Sequence, residues 1–311
     1  MFGQSILLVV VCQFLTLAAA LHAESELLSQ RPSIAVAPHG AFKPFPFSPA
    51  RRKTCHVKSH GDGSDGSKYI LGAFRKCSPG GCVVFDKDKV YTIGKTMDIR
   101  FLKWVDVVIQ GKIIMSNNID YWLANSFKYP FQDTSSFIQI GGTDVNIYSG
   151  GEIDGNGQAW WDARMDNKTI QHPILVTYID SRGRSVSTIN LCNSPNWFQL
   201  AYSSSDLVFN IMYLNASSNG WDTYRSDNIV IQNSRIFNSD GDPPPLLRER
   251  KKLTGQDGAR IKIWPGAIGN STNTGGGSGW VRNVTYDGMH NYNNDWAIEL
   301  TQCYFAANQT A

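Results

Sequence analysis

The sequence carries little net charge, and this limits the partners that the protein can have. Its 29 Lys and Arg residues against 26 Asp and Glu residues leave a formal charge of +3, spread along the chain. A nucleic-acid-binding domain usually concentrates basic residues in a patch or stripe. We therefore expect no nucleic-acid partner. The same balance tolerates an acidic substrate without requiring one.

Long apolar runs are missing after the N-terminus. Residues 1–23 contain an uncharged apolar run from Ile6 to Leu17, followed by small residues. This pattern predicts a secretory signal peptide over 1–23, cleaved after Ala20 or Ala23. A membrane anchor is the alternative interpretation, but the run is short for a bilayer span. We expect a secreted, extracellular protein that is not bound to a membrane.

No cysteine spacing matches a zinc site, so we expect no metal, and nothing in the sequence calls for a cofactor. Cleavage of the signal peptide leaves Cys55, Cys77, Cys82, Cys192 and Cys303. The first three are clustered and predict one local disulfide with one spare thiol. Cys192 lies in the apolar run INLCN and is interpreted as a small buried thiol. Because the number is odd, at least one thiol is free or lacks its partner.

Helical periodicity is scarce. The best helical segment is KYILGAFRK, from Lys68 to Lys76, which predicts one short helix. Residues 24–54 alternate Pro and Phe without a period, and this favours an extended surface arm. The arm ends in Arg51-Arg52-Lys53, which is either a solvated basic linker or a processing site.

From residue 83 onwards, short β-branched runs alternate with Asn, Gly, Asp and Ser. Asp206 and Asp227 begin similar runs 21 positions apart, and Val145 and Val208 are separated by three such periods. A strand-rich repeat of this length predicts a solenoid. We expect an all-β, single-domain, right-handed parallel β-helix over 55–311, with strands from about 83 to 302 and asparagine ladders in its turns. The helix near Tyr69, next to the cysteine cluster, would cap the first coil. A β-sandwich would need clear hairpin turns, and a propeller would need blades of roughly 40 residues.

Five segments in this order resemble glycoside hydrolase family 28, the polygalacturonases, and most closely its fungal exo-acting members. They are GEIDGNGQAWWD, NSPNWFQL, GWDTYRSDNIVIQNSRI, GARIKIWPG and DWAIELTQCY. The resemblance covers most of residues 55–311. It implies a parallel β-helix that hydrolyses the α-1,4 links of polygalacturonate, the backbone of pectin, with inversion.

The resemblance also implies a set of substrate-binding residues. Arg260 and Lys262 form the Arg-Ile-Lys motif, and on a strand both cations face one side, where they suit a galacturonate carboxylate. Asp222 is placed beside the substrate, and Tyr304 near the sugar. Without the resemblance, Arg260 and Lys262 would be interpreted as a solvated strand face, and Tyr304 is equally well explained as a capping aromatic.

Inverting hydrolysis needs two carboxyl groups, one to protonate the leaving oxygen and one to activate water. The resemblance places Asp240 at the position of the general acid. Gly241 follows where the family has a second Asp, and Asp242 comes one residue late as a possible displaced carboxylate. Asn219 stands at another expected Asp position, and an amide cannot accept a proton from water. A turn is the alternative interpretation of SDGD.

The chain between Asp240 and Arg260 is short, although the resemblance requires more than two coils and a Gly-His-Gly motif there. None of the six histidines lies in this interval. The intervening PPPLLRERKKLTGQ has no strand alternation, and its prolines donate no ladder hydrogen bonds. We interpret residues 243–257 as an aberrant loop, for example translated intron. We therefore predict a secreted, monomeric exo-type polygalacturonase. The alternatives are a catalytically impaired pectin-binding relative and a pectate lyase, which would need an acidic calcium site.

Five Asn-x-Ser/Thr sequons are possible glycosylation sites in a secreted chain. They begin at Asn167, Asn215, Asn270, Asn283 and Asn308.

The composition of the aberrant loop makes a prediction about proteolysis. We expect trypsin to cut the secreted chain first at Arg248, Arg250, Lys251 or Lys252, because this charged, proline-led segment is unsuited to burial. The measurement is limited proteolysis with mass spectrometry of the first fragments. Resistance there, with earlier cuts elsewhere, would show that the segment is structured.

Overall fold

The computed structural model describes residues 31–34, 48–215, 219–237, 255–263 and 279–301. Three helices are α1 (Ser67–Cys77), α2 (Ile119–Asn125) and α3 (Gln158–Asp166), and a 3-10 turn covers Phe131–Asp133. The strands are β1 (Lys53–His56), β2 (Gly81–Phe85), β3 (Val90–Ile93), β4 (Met97–Ile99), β5 (Lys103–Ile109), β6 (Lys112–Met115), β7 (Phe127–Tyr129), β8 (Thr134–Tyr148), β9 (Glu152–Asp154), β10 (Pro173–Ser187), β11 (Asn190–Cys192), β12 (Gln199–Tyr202), β13 (Ser205–Asn210), β14 (Tyr213–Asn215), β15 (Trp221–Tyr224), β16 (Asp227–Gln232), β17 (Arg235–Phe237), β18 (Gly255–Lys262) and β19 (Asn294–Thr301). No helix in the described ranges is long and apolar enough to cross a membrane.

The strands build a parallel β-helix, as the sequence predicts. An 11-stranded sheet runs β1-β2-β5-β8-β10-β12-β15, with β4, β7, β13 and β16 joined to it, and a six-stranded sheet runs β3-β6-β9-β11-β14-β17. The chain alternates between the two sheets, so that each strand pairs with the equivalent strand of the next coil. Among the described strands, all pairs are parallel except β7 with β8.

The repeat is slightly longer than the sequence predicts. Ser205 pairs with Asp227, which lies 22 positions later, and Arg182 pairs with Ser205, which lies 23 positions later. The expected equivalence of Asp206 and Asp227 is therefore wrong by one residue, because Asp206 stacks with Asn228 and its side chain accepts a hydrogen bond from that amide. Two coils are much longer, since they carry the excursions that contain α2 with β7 and α3.

The core is a set of stacked apolar columns inside the solenoid. One column runs through Cys55, Val83, Val107, Ile147, Val186, Phe209 and Ile231. Its first six members are at most 6% exposed, whereas Ile231, in the last coil of this stack, is 43% exposed. β-branched and aromatic side chains pack well on such pleated surfaces. The apolar side chains of a coil are thus buried only when a neighbouring coil packs against them.

Single residues in the left-handed region turn the chain from the large sheet to the six-stranded one. Thr188, Ile211 and Asn233 have φ values of 54°, 53° and 52°, and each directly follows a strand of the large sheet. Immediately before these corners, Asn210 donates to Ser187 Oγ at 3.3 Å and accepts from Gln232 Nε2 at 3.2 Å. The predicted asparagine ladder is a mixed side-chain ladder at this corner, because Ser187 and Gln232 occupy the positions equivalent to Asn210 in the neighbouring coils. It satisfies polar groups that would otherwise be buried without partners.

Helix α1 lies at the first coil, where the sequence predicts a capping helix. It buries Ile70, Ala73, Phe74 and Cys77. Cys77 forms a disulfide with Cys55 on β1, and Cys82 remains a free thiol. The prediction of one local disulfide and one spare thiol is therefore confirmed. Cys192, interpreted from sequence as buried, is only partly buried and lies at the end of β11.

The limits of the stack differ from those expected. The parallel pairing begins at β1, well before position 83 and just before position 55. Among the described strands, the continuous stack ends with β17. Strands β18 and β19 pair with each other in a separate two-stranded parallel sheet and not with the large sheet. Strands are thus present as far as Thr301, close to the expected limit near residue 302, but β18 and β19 do not continue the stack that ends with β17.

The N-terminal arm is fastened to the large sheet by two arginines. Arg31 donates to both carboxylate oxygens of Asp106, at 2.9 and 3.1 Å, and Arg51 donates to Asp106 at 3.0 Å and to Asp144 at 3.2 Å. Ser48 links the two halves, because it accepts from Arg31 and donates to Asp144. The side chains of Arg51 and Asp106 are 7% and 6% exposed. Arg51 is therefore a buried ionic partner rather than part of a solvated linker.

This arginine clasp makes a prediction about stability. We expect Asp106→Asn to lower the free energy of unfolding by roughly 3 kcal/mol, because it leaves two guanidinium groups without their shared carboxylate. Urea unfolding of the two proteins measures the difference. Asp98→Asn is the matched control, since the Asp98–Arg100 pair is exposed and should contribute less than about 1 kcal/mol. Equal losses in both variants would contradict the importance of the clasp.

Candidate active site

Aromatic and acidic side chains lie next to one another on the outer face of the large sheet at β12 and β15. Ala201 is part of the interior core, so its neighbours Leu200 and Tyr202 point outwards. In register with them, β15 presents Asp222 and Tyr224 on the same face. Tyr129 on β7 stands at the side of this face, with its ring 5.9 Å from that of Tyr202. We use the name outer-face groove for the set Tyr129, Tyr202, Tyr224 and Asp222, of which Tyr129 is buried and the other three are half-buried.

The aromatic rings of the groove form a ladder one coil apart. The rings of Tyr202 and Tyr224 have centroids 5.3 Å apart, and the guanidinium of Arg225 lies 5.2 Å from the Tyr224 centroid. Arg225 has a φ of 49°, at the bend that follows β15, and it is exposed. The groove thus combines half-buried aromatic surface with an accessible cation. These residues were not predicted from the sequence, although two tyrosines one repeat apart are a detectable signal.

Asn219 and Asp222, which the resemblance places at a catalytic position and at a substrate-binding position, lie side by side at the start of β15. The side-chain amide of Asn219 donates from Nδ2 to both oxygens of Asp222 at 3.4 Å. The backbone carbonyl oxygen of Asn219 accepts from the backbone N–H of Phe198 in the preceding coil. At Gly220, a Cβ would lie 2.6 Å from Ile236 Cδ1, so a larger residue there would displace the end of that exposed side chain.

Arg260 and Lys262 lie on β18, on either side of Ile261, and face one side of the small sheet. Arg260 is held by carboxylates of the protein itself: Nη1 donates to Asp257 at 3.1 Å, and Nε is 3.0 Å from Glu299 Oε2. Its Nε also donates to Thr301 Oγ1 at 3.1 Å. The Arg260 side chain is only 14% exposed. The side chain that was predicted to bind a substrate carboxylate is thus already paired with acidic groups.

The other predicted catalytic and binding positions, Asp240, Asp242 and Tyr304, lie outside the described residues, as do residues 243–254. The predicted aberrant loop ends earlier than position 257, because Gly255 already begins β18. The sequons Asn270 and Asn308 also fall outside. The sequons Asn167, Asn215 and Asn283 are exposed on the surface, where an oligosaccharide could be attached.

The GEIDGNGQAWWD and NSPNWF segments pack against each other beside the groove. Gly155 and Gly157 touch the Asn193 carbonyl so closely that a Cβ would lie 2.6 or 2.5 Å from its oxygen. Trp160 and Trp161 are 0% and 8% exposed, so they serve in packing rather than in binding sugars. The contacts of these segments are therefore those of packing.

His172 joins these two segments. Its ring meets Trp160 and Trp161 edge to face, with centroids 5.8 and 4.9 Å away, and Nδ1 lies 2.8 Å from the Pro195 carbonyl oxygen. A carbonyl only accepts, so Nδ1 carries the proton. Burial lowers the pKa of His172, and the nearby Arg164 acts in the same direction. The neutral ring is thus the form that the folded protein prefers.

One cluster of potential metal ligands occurs on the six-stranded sheet. Ligand atoms of Glu152, Asp154 and Cys192 lie within 4.8 Å of one another. However, Lys112 Nζ is 2.8 Å from Glu152 Oε1 and 2.7 Å from Asp154 Oδ2. Burial opposes the charged form of Lys112, but these hydrogen bonds outweigh burial and raise its pKa. The ammonium already supplies the positive charge, and we assign no metal to this cluster.

Comparison with known proteins identifies the chain's relatives. Residues 96–242 match the family model described as glycosyl hydrolases family 28. The chain is 41% identical, over 350 aligned positions, to a probable exopolygalacturonase X of Aspergillus terreus, with 96% of this chain and 81% of the relative covered. It is 42% identical to exopolygalacturonase X-1 of Emericella nidulans, with 89% and 75% covered. The first alignment is longer than the 311-residue chain, so part of it consists of gaps in this chain.

Among solved structures, the endo-xylogalacturonan hydrolase of Aspergillus tubingensis is similar with a TM-score of 0.52. The sequences are 22% identical, and the match covers 60% of this chain and 52% of that chain. This likeness shows a shared fold. Together with the curated relatives, it defines the protein as a β-helical glycosidase. The chain belongs to glycosyl hydrolase family 28.

The environment of His172 predicts how stability depends on pH. As the pH falls below about 6.5, the unfolded chain binds a proton at His172 that the folded chain resists, so stability decreases. We expect this loss between pH 7 and pH 5 to be smaller in His172→Asn, which keeps an N–H donor for the Pro195 carbonyl. Urea unfolding at several pH values measures it. His290→Asn removes an exposed histidine as the control, and an identical pH profile for all three proteins would contradict the assignment.

Proposed function

We propose that the protein is a secreted, monomeric exo-type polygalacturonase that releases galacturonic acid from the ends of polygalacturonate by inverting hydrolysis. The observation that carries this proposal is the 41% identity to a probable exopolygalacturonase X across 96% of the chain. The geometry of the outer-face groove supports it, because the groove offers both surfaces that a uronic acid needs.

The first of these surfaces is aromatic. The apolar face of a sugar ring can lie on the half-buried rings of Tyr202 and Tyr224. The second is cationic, because a galacturonate carboxylate suits the forked guanidinium of Arg225, which is exposed beside Tyr224. Asp222 can accept hydrogen bonds from sugar hydroxyls on the same face. We further propose Lys262, Arg260 and Tyr304 as binding residues.

In this proposal Asp240 is the general acid, and Asp242 is the second carboxylate. Inverting glycosidases keep such a pair about 6.5–9.5 Å apart, so that a water molecule fits between the second carboxylate and the sugar. Asn219 stands where a third acidic group would help to activate that water. Because its amide donates to Asp222 instead of accepting a proton, the chain lacks one contributor to general base catalysis. We therefore propose slow hydrolysis.

A second function is favoured by two observations. Asn219 cannot act as a base, and Arg260 is already paired with Asp257 and Glu299. Both are consistent with a pectin-binding member of the family that has lost most of its catalytic power. The two functions share a groove and a ligand, and they differ in turnover.

The test is product analysis on polygalacturonate with the secreted full chain. We expect slow release of galacturonic acid monomer, and we expect Asn219→Asp to raise the rate at least about tenfold. A positioned acid or base typically contributes about 10²–10⁴-fold, so a partial gain of this size is reasonable. Chromatography of the products measures both the rate and the product size.

The control is Asn117→Asp, which adds the same charge at an exposed position before α2 and should leave the rate unchanged. A ladder of oligomers instead of monomer would contradict the exo mode. No turnover in any variant, combined with calorimetric binding of oligogalacturonate, would establish the binding function. Neither turnover nor binding would refute both proposals.

A further inference from the structure

One aromatic residue occupies a backbone conformation that aromatic residues rarely adopt. Trp104, near the start of β5, has a φ of 55° and is 37% exposed. A bulky residue in the left-handed region is an outlier, and backbone strain of this kind clusters at functional sites. Trp104 therefore needs an explanation other than local conformational preference.

The neighbouring coils show which residues this position usually holds. Each of them has one residue in the left-handed region at the position in register with Trp104. These residues are Gly80, Asp144, Gly183, Asp206 and Asn228, with φ values of 77°, 50°, 61°, 57° and 55°. Gly, Asp and Asn tolerate the left-handed region, whereas a large ring does not. Trp104 is thus the exception in this column.

Packing does not account for the exception. The ring is exposed, and its recorded contact is with Lys103, whose Nζ lies 4.4 Å from the ring centroid. A cation–π contact at an exposed site stabilises a protein by less than a bulky left-handed residue costs. The contact therefore does not explain why tryptophan is present, but it does place an ammonium group beside an accessible aromatic face.

The loop that follows α1 holds this part of the backbone in place. Ser78 Oγ accepts from the Lys103 N–H at 3.2 Å and donates to the Phe101 carbonyl oxygen at 3.3 Å. The Gly80 N–H donates to the Lys103 carbonyl oxygen at 3.0 Å. A surface that is fixed in advance loses less entropy when a ligand binds.

A second cation lies two coils away from Trp104. Arg52 is adjacent in register to Gly80, which is in turn adjacent to Trp104, and Arg52 is exposed. A Cβ placed on Gly80 would have no atom within 4 Å, so the space between the two outer residues is open. Neighbouring strands are about 4.8 Å apart, which separates the backbones of Arg52 and Trp104 by roughly 10 Å. We call Arg52, Gly80, Lys103 and Trp104 the aromatic–basic patch.

The positive charge of the aromatic–basic patch is not cancelled by nearby acids. Asp106 and Asp144, on the adjoining strands, are already paired with the two arginines of the clasp. Within the ranges that the structure describes, no carboxylate pairs with Arg52 or Lys103. An approaching anion therefore meets a complementary charge.

We propose that the aromatic–basic patch is a second binding site for a polysaccharide whose sugars carry carboxylates. The Trp104 ring offers a face for the apolar side of a sugar ring, and Lys103 and Arg52 offer charges for uronate carboxylates. The identity of this ligand class rests on the proposed function. The site itself is separate from the outer-face groove.

The register places the patch on the same large sheet as the groove. Four coil steps lead from Trp104 to Asn228, which follows the groove residues of β15, so about 20 Å separates the two sites. One polymer chain can engage both sites at once. Such linkage raises the affinity for polymer above that of either site alone.

The test is affinity electrophoresis in native gels that contain polygalacturonate, which gives a Kd for the polymer. Trp104→Asn is the test variant, because Asn228 shows that asparagine suits this backbone position. We expect the Kd to rise about fivefold, which is the size of one lost aromatic contact. We expect the Tm to stay the same or to rise, because the backbone strain is removed.

Tyr213→Asn is the matched control, because it removes a 41% exposed aromatic residue from the six-stranded sheet, and it should leave the Kd unchanged. Lys103→Gln tests the charge separately. It should weaken binding to polygalacturonate but not to fully methyl-esterified pectin, which has no carboxylates. An unchanged Kd in both Trp104→Asn and Lys103→Gln, or an equal loss in Tyr213→Asn, would overturn the proposal. Equally tight binding of polyglutamate would also overturn it, because charge alone would then explain the binding.

These results are distinguishable from those that test the proposed function. Release of galacturonic acid together with polymer binding that ignores Trp104→Asn would keep the hydrolase and remove the second site. Polymer binding that depends on Trp104, without turnover, would keep the second site and remove the hydrolase. Digalacturonate is too short to reach both sites, so its rate of hydrolysis should be equal in Trp104→Asn and the wild type. A changed rate on digalacturonate would overturn the separation of the two sites.

Discussion

In-register parallel stacking is the constraint on which the rest of the molecule depends. Each strand of the large sheet forms its backbone hydrogen bonds with the strands of the adjacent coils. The same register places equivalent side chains on top of one another. The core columns, the side-chain ladder at Asn210 and the tyrosine pair of the groove all follow from this register. A residue in the groove is therefore defined by its coil and its position within the coil, rather than by its sequence neighbours.

Much of the fold could be predicted from the sequence, because β-branched runs interrupted by Asn, Gly and Asp are typical of a solenoid. The period could not be read to the residue. Asp206 and Asp227 are chemically alike, but the register pairs Asp227 with Ser205, and the equivalent of Asp206 is Asn228. The start of the stack was also missed, since β1 is a short strand that buries only Cys55.

The candidate active site could also be predicted from the sequence only in part. Asn219 and Asp222 could be predicted from one short motif, and the structure brings them together. The partners of Arg260 could not, because Glu299 reaches it from β19, which is remote from β18 in the sequence. The clasp was likewise invisible, since Arg31 and Asp106 are also far apart along the chain. Long-range ion pairs leave no local pattern, and a basic triplet such as Arg51-Arg52-Lys53 looks the same whether it is solvated or buried.

The two long coils show how the groove can change while the stack does not. Gln139 in β8 and Thr177 in β10 are neighbours in the ladder although the whole of α3 lies between them in the sequence, because the excursion with α3 leaves the stack and returns to the next position in register. The entropy of closing a loop grows only with the logarithm of its length, so a coil that is nearly twice as long as its neighbours costs only about 0.5 kcal/mol more to close. Insertions of this kind, such as the one that carries Tyr129, are thus thermodynamically cheap. Segments beside the groove can therefore be lengthened or exchanged without a change in the register of the strands that carry the groove residues.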